Sequence, residues 1–452
     1  MTRKTSNRQG EPLAPIERVF LPFERFVKAE AFGGVLLVLC TVAALAWANS
    51  PAGGSYEALW QTPVGFRFGG FDLVKPLLLW INDGLMAVFF FVVGLEIKRE
   101  LLAGELSSPR QAALPVAAAV GGMVVPAALY VAFNAGGPAA GGWGVPMATD
   151  IAFALGILSL MGNRVPLSLK VFLTALAIAD DLGAVLVIAL FYTHGVNVAA
   201  LAAGAGILVV LAALNLSGVR SPLPFIIVGL GLWLAFLKSG IHPTVAGVLL
   251  AALIPVKTRI PPGTFVAEGK GILRDFEKAA PPEATVLENK VRQDRLMALE
   301  ESIHKARPPL QRIEQFLHPW VSYGIMPLFA LANAGVNFGG AGVGAMGKPL
   351  ALGVLAGLVL GKPLGIAGAS WLVVRLGAAD MPSGASWRKL WGVGCLAGIG
   401  FTMSLFIAGL AFEGTGLLAE AKMGILAASL ASALAGWAVL WGSNRSPEGP
   451  NG

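Results

Sequence analysis

Charge is scarce in this chain: Asp, Glu, Lys and Arg make up 13% of its 452 residues, hydrophobic residues make up 56%, and the mean hydropathy is +0.72. Soluble globular domains carry about 25% charged residues, so composition excludes that class and points to a membrane protein. Cysteine is nearly missing. Cys40 and Cys395 are the only two and both sit in apolar runs, which excludes a disulfide framework and reads as small buried hydrophobes. The four histidines, His194, His242, His304 and His318, have no metal-ligand spacing with each other or with cysteine. A phosphate-binding loop is also lacking, because the nearest approach, Gly342 to Lys348, continues with Pro349 where Ser or Thr is needed. The glycine string from Gly392 follows no strand, so it does not read as a dinucleotide fingerprint. No cofactor is expected. The first thirty residues, with Arg3, Lys4, Arg8, Arg18, Arg25 and Lys28, are too long and too polar for a signal peptide and read as a tail with an amphipathic stretch near Pro15 to Ala29.

What the chain does have is a succession of apolar stretches of about 20 residues, the length a spanning helix needs. The expected fold is an all-α polytopic membrane protein with the lipid bilayer as its surroundings. About twelve spans are placed, near 31–49, 75–96, 111–133, 142–161, 168–192, 197–215, 222–237, 240–256, 316–337, 349–374, 390–412 and 416–441. The transmembrane domain runs over 31–442 and contains a charged loop at 257–309, with tails at 1–30 and 443–452. The net charge of +7 would raise nucleic acid as a partner for a soluble protein. Here most Lys and Arg fall on one side of the alternating topology, even with the long loop left out. That asymmetry is the positive-inside rule: it places both termini in the cytoplasm and removes the case for nucleic acid. The loop reads as a solvated connector, helical in period from Pro282 to Leu317, and Thr62 to Phe71 reads as a short β-hairpin around Arg67.

Two spans differ from the rest. Gly144-Val145-Pro146-Met147-Ala148-Thr149-Asp150 interrupts one, and Gly392, Gly394, Gly398, Gly400 and Thr402 interrupt another. Non-helical backbone at membrane depth is tolerated only where it lines a cavity or is buried in protein, so two such breaks point to one site. Each broken span is second in a triplet, 111–192 and 349–441, and an offset of seven spans gives the triplets opposite orientation. They are candidate inverted repeats with a site between discontinuous helices.

Three carboxylates lie deep in apolar sequence: Asp150 in the first break and the neighbours Asp180 and Asp181. A charge at the bilayer centre costs at least ~2.5–3.5 kcal/mol per residue, so three in adjacent spans call for a function. A fourth, Asp83, falls nearer a span end, where an interfacial position is expected. Burial and mutual repulsion both favour protonated carboxyls, so such a pair can hold protons or a hard cation, but not both at once. Competition for one site that opens to one side at a time is sufficient for cation/proton exchange. Lys362 is the one cation near the middle of a span, expected to be buried as the partner of an Asp or as an amine that itself titrates.

The motifs Phe89 to Glu100, Ala148 to Gly156, Ala179-Asp180-Asp181-Leu182-Gly183, His318-Pro319-Trp320, Gly361-Lys362-Pro363-Leu364-Gly365 and Gly398 to Ser404, in this order, resemble the NhaA sodium/proton antiporters over about residues 20 to 442. The resemblance implies an electrogenic exchanger of the bacterial inner membrane that expels Na+ or Li+, admits a larger number of protons, is activated at alkaline pH and serves pH and sodium homeostasis. It makes Asp180 and Asp181 the carriers of Na+ and H+, with Asp181 the direct ligand and Thr149 a further oxygen. It gives Asp150 and Lys362 the balancing of helix ends where two discontinuous helices cross; pairing of Lys362 with Asp180 stays open. Glu96, Arg99, Glu100, His242 and Glu314 match positions tied to pH response, and the hairpin matches a dimer contact, so a homodimer is expected. Gln311, where the best-known members have lysine, and the longer preceding loop depart from the pattern and bear on the pH set-point. Two other classes compete: a Na+-coupled symporter for an organic solute, and an intramembrane aspartyl protease. The protease would need carboxylates on facing helices, whereas Asp180 and Asp181 point about 100° apart on one helix, so only a pairing of Asp150 with Asp181 would serve it.

Overall fold

The structure is a computed structural model and describes residues 30–69, 71–193, 195–279, 289–341 and 343–443. The amphipathic stretch before Ala29, His194, the start of the helical period at Pro282 and all but the first residue of the C-terminal tail lie outside the described residues. Among the described residues the chain is helical apart from one hairpin. The first helix, α1 (Glu30–Ala48), turns through 112° into the short α2 (Gly53–Gln61), which the hydropathy reading had treated as loop. The hairpin β1 (Pro63–Phe68) and β2 (Phe71–Pro76) follows, pairing Arg67 with Asp72 across an antiparallel register. Its turn begins at Gly69 with φ +58°, a left-handed backbone that glycine adopts without a Cβ penalty.

Five helices follow: α3 (Leu77–Ala103), α4 (Pro109–Asn134), the broken α5 (Ala140–Leu160), α6 (Leu167–Phe191) and α7 (Val198–Leu216). Next come α8 (Pro222–Ser239), the short α9 (Thr244–Leu253), and the pair α10 (Pro262–Lys278) and α11 (Lys290–Ala306). The chain closes with α12 (Pro309–Trp320), α13 (Met326–Asn333), α14 (Pro349–Arg375), α15 (Trp387–Ala397), α16 (Phe401–Ala411) and α17 (Leu417–Gly442). Many starts follow helix-end chemistry. Pro occupies the first turn at Pro109, Pro222, Pro262, Pro309 and Pro349, where its missing N–H is unneeded, and Ser108, Asn197, Asn289 and Ser386 accept from backbone N–H groups three residues on.

Eight helices are long and apolar enough to cross a membrane, or ten when the bent pairs α1 with α2 and α15 with α16 count as spans. The expected twelve would add α9, only 10 residues long, and α12–α13, and neither meets that test. Two spans also overrun the apolar windows. The helix α3 continues to Ala103 beyond Glu96, and α12 begins at Pro309, because the charged turns there pack against each other with Leu310, Ile313 and Glu314 buried.

Three π-helical turns interrupt the spans, at Trp80–Leu85, Val321–Ile325 and Gly357–Gly361. Two have a shared cause. Pro327 and Pro363 lack the N–H that would bond the carbonyls of Tyr323 and Val359, and each of those carbonyls lies in a π turn. The second of these turns delivers Lys362 to the interior. The helices α4 and α14 meet there through glycine: a Cβ on Gly121 would lie 2.3 Å from the Gly365 oxygen, and one on Gly365 would lie 2.1 Å from the Gly121 oxygen. Residue pairing between α3 and α9 (Gly247 beside Ala87, Lys98 beside Ile254) shows them running the same way, so the bundle has a hairpin face and an opposite loop face bearing α10 and α11.

Candidate functional site

The two interrupted spans meet at their breaks. The Asp150 N–H donates to the Ile399 carbonyl at 2.6 Å, the Thr149 hydroxyl to the Ala397 carbonyl at 2.8 Å, and the Ser404 hydroxyl to the Val145 carbonyl at 2.7 Å. Val145 meets Ser404 whereas Thr149 and Asp150 meet Ala397 and Ile399, so the spans cross in opposite senses, as inverted triplets require. Each break opens a helix N-terminus: Asp150 caps the α-helical half of α5, and Gly400 precedes α16. The Asp150 carboxylate serves both. One oxygen accepts from the Phe153 N–H at 3.1 Å, and the other accepts the Thr402 N–H at 3.1 Å and the Thr402 hydroxyl. One negative charge thus faces two positive helix ends, and each cap is worth about 0.5–2 kcal/mol. With both oxygens committed in this way, Asp150 is not available to form a proteolytic dyad with Asp181. Thr402 was visible in the sequence only as a member of a motif; its role as donor depends on a contact between residues 252 apart.

Asp180 and Asp181 lie midway along α6, and Asp150, Asp180, Asp181 and Lys362 are all at most 2% exposed. Lys362 donates from Nζ to Asp180 Oδ2 at 2.7 Å. That contact resolves the open choice for Lys362 in favour of Asp180. Thr149 stands within hydrogen-bonding reach of the Asp180 carboxylate. Asp181, about 100° further round the helix, lies within electrostatic range of Glu96 of α3 as well as of Asp180, Asp150 and Lys362. Its Oδ1 is buried and accepts no hydrogen bond among the described residues; the same holds for Asp180 Oδ1. Two carboxylates and one ammonium leave one uncompensated negative charge and two unused acceptor oxygens, a donor set that fits a proton or a hard monovalent cation.

The residues tied by resemblance to pH response separate into two places. At the loop-face end of α3, Arg99 pairs with Glu314 of α12 and with Glu100 at 3.1 Å, and Glu96 lies within reach of all three charges. Burial pushes the Glu314 carboxyl above its ordinary range, and Arg99 opposes the rise. Lys98, which the sequence reading left without a role, donates to the carbonyls of Ala252 and Ile254 at 2.6 Å each, capping the C-terminus of α9. His242 is not in this cluster. It lies at the other end of the bundle, separated by the helix from Asp83 to Arg99, roughly 24 Å at 1.5 Å per residue. There its Nδ1 meets the Thr244 hydroxyl at 2.8 Å and its Nε2 lies 3.6 Å from Asp83. Asp83 lies at this hairpin end of α3, and it is buried within the protein and paired with Lys75 of β2 at 2.8 Å.

The sequence profile of the family described as Na+/H+ antiporter 1 matches residues 24–440. The chain is 54% identical over 431 residues to the Na(+)/H(+) antiporter NhaA of Oleidesulfovibrio alaskensis, covering 95% of this chain and 96% of that one. It is 49% identical to the protein of the same name from Koribacter versatilis, with 96% of each chain covered. It is 47% identical over 420 residues to the one from Escherichia coli, covering 92% of this chain and 97% of the other.

Proposed function

This chain belongs to the Na+/H+ antiporter 1 family, and on that premise we propose that its exchange of Na+ for protons runs through Asp180 and Asp181 at the crossing of the two broken spans. The observation that carries the assignment is the buried Asp181 oxygen with no donor among the described residues, beside a lysine-paired Asp180. Sodium or lithium binds to Asp181, with Asp180 and Thr149 as further oxygens, when the carboxyls are deprotonated, and protonation expels it. Lys362 holds Asp180 in place and neutralises it. Asp150 holds the two half-helices together. Exchange is electrogenic, with more protons entering than sodium ions leaving, and serves pH and sodium homeostasis in the inner membrane. The biased distribution of Lys and Arg supports a cytoplasmic loop face and cytoplasmic termini. The requirement for an organic solute distinguishes a symporter: if proteoliposomes show Na+-driven proton flux with no solute added, exchange stands, and flux only with a solute would replace it.

The cluster at Arg99 supports a role in setting the pH of activation. Glu314 ionises at a pH that burial raises and Arg99 lowers. Removing the arginine leaves burial unopposed, so in Arg99→Ala the midpoint of the flux–pH curve moves to higher pH. An unchanged midpoint at normal maximal rate would remove Arg99 and Glu314 from pH control.

The hairpin supports a homodimer. Its strands form a two-stranded sheet with Arg67 and Asp72 exposed at the tip, and an isolated two-stranded sheet is marginal without a partner. Deleting residues 64–75 is expected to convert dimer to monomer in native mass spectrometry, whereas persistence of the dimer would place the contact elsewhere.

A further inference from the structure

Just to the hairpin side of the crossing, four rings from four separate segments close on one another. Phe406 of α16 lies at its centre: its ring centroid is 5.7 Å from Phe90 of α3, 6.1 Å from Phe329 of α13 and 5.2 Å from His242 before α9. Phe90 and Phe329 are fully buried and Phe406 nearly so. Residue counting fixes the depth of this layer. Phe406 is five residues beyond Phe401 at the break, so the layer lies roughly 7.5 Å outward at 1.5 Å per residue. A polar layer backs it. Asn82 and Asn333 exchange hydrogen bonds through their side-chain amides at 2.9 and 3.3 Å, and Lys75, Asp83 and His242 form the second group.

We propose that Phe406 is the outer gate of the exchanger, the residue whose ring must leave its contacts with Phe90, Phe329 and His242 before Asp181 can be reached from the hairpin side. The physical case rests on where the layer is and what it joins. Phe406 belongs to a half-helix that starts at the crossing and whose first turn is held by the Asp150 carboxylate. Its three ring partners belong to α3, α13 and the turn before α9, none of which carries the carboxylates at the crossing. The layer therefore spans the seam between the broken helices and the helices facing them, and a passage along that seam crosses it. Rings packed on all sides leave no room for water, so the layer blocks an ion while closed. It also separates without breaking a covalent or ionic bond, as a barrier that opens in every cycle requires. His242 fits this role better than that of a member of the distant Arg99 cluster: its ring packs against Phe406 while its nitrogens meet Thr244 and Asp83.

The inference rests on the exchange reading, but its test does not measure exchange. In the full chain with Cys40→Ser and Cys395→Ser, Asp181→Cys provides a reporter thiol. The rate of its modification by an impermeant trimethylammonium methanethiosulfonate is measured separately from each side in right-side-out and everted vesicles. With Phe406 present, modification from the hairpin side is expected to be at or near background. Phe406→Ala should raise that rate at least ten-fold without a matching rise from the loop side, and Phe406→Leu, which keeps most of the volume, should fall between. Background reactivity from the hairpin side in folded Phe406→Ala overturns the proposal. Should Phe406→Ala not accumulate in folded form, Phe406→Leu and Phe329→Ala give the same readout, and a rate unchanged in both would again overturn it.

Discussion

Asp181→Asn is expected to abolish Na+-driven proton flux at every pH while leaving the protein folded and inserted. Asparagine keeps the size of the side chain and one carbonyl oxygen, but it neither ionises nor releases a proton, so the competition that couples the two fluxes disappears. Stability should not fall, because Asp181 Oδ1 receives no donor among the described residues and burying its charge is unfavourable. A neutral amide relieves that cost, and the melting temperature is expected to hold or rise. This combination separates a transport residue from a structural one. Wild-type flux in Asp181→Asn would refute the assignment, and loss of the folded protein would mark Asp181 as part of the scaffold.

Lys362→Ala is expected to damage both stability and transport. Its ammonium and the Asp180 carboxylate are fully buried and 2.7 Å apart. Removing one partner of a buried pair strands the other charge and costs about 3–5 kcal/mol. The melting temperature should drop by several degrees, and flux should fall steeply as Asp180 becomes harder to ionise. The double variant Asp180→Asn with Lys362→Met removes both charges together. It should regain much of the lost stability, because neither group is left buried and alone, yet it should remain without normal exchange. Two single-variant losses that simply add in the double variant would mean the contact contributes nothing.

The spans, the two breaks and the three deep carboxylates were legible because the membrane imposes a simple rule on sequence. Apolar length encodes a span, and a Gly/Pro-rich break or a charge inside one is costly enough to carry information. The hairpin was legible for a similar local reason, a glycine turn within alternating polarity. Contacts between distant segments were not legible. Nothing near Lys362 in sequence chooses between Asp180 and the helix ends; the choice is made where the π turn at Gly357–Gly361 aims the side chain. Thr402 reads as one more small polar residue in a glycine-rich break until Asp150 arrives from the other triplet. Phe406 reads as an ordinary apolar residue, since hydropathy does not distinguish a ring that faces lipid from one that fills a seam. Hydropathy windows also stopped at charged residues, so they missed that α3 continues to Ala103 and α12 starts at Pro309, the stretches that bring Arg99 to Glu314.

An exchanger in which one set of carboxylates holds Na+ or protons, never both, must give up protons as it takes up Na+. The most direct test is the number of protons released when Na+ binds. Isothermal titration of the purified protein with NaCl, in buffers of different ionisation enthalpy near the pH of half-activation, gives that number without any membrane. A net release of protons on Na+ binding is expected in the wild type, shrinking as pH rises and the carboxyls empty on their own, with no Na+ binding heat in Asp181→Asn. Sodium binding with no proton release at any pH would contradict the shared set, because cation and proton would then occupy separate sites.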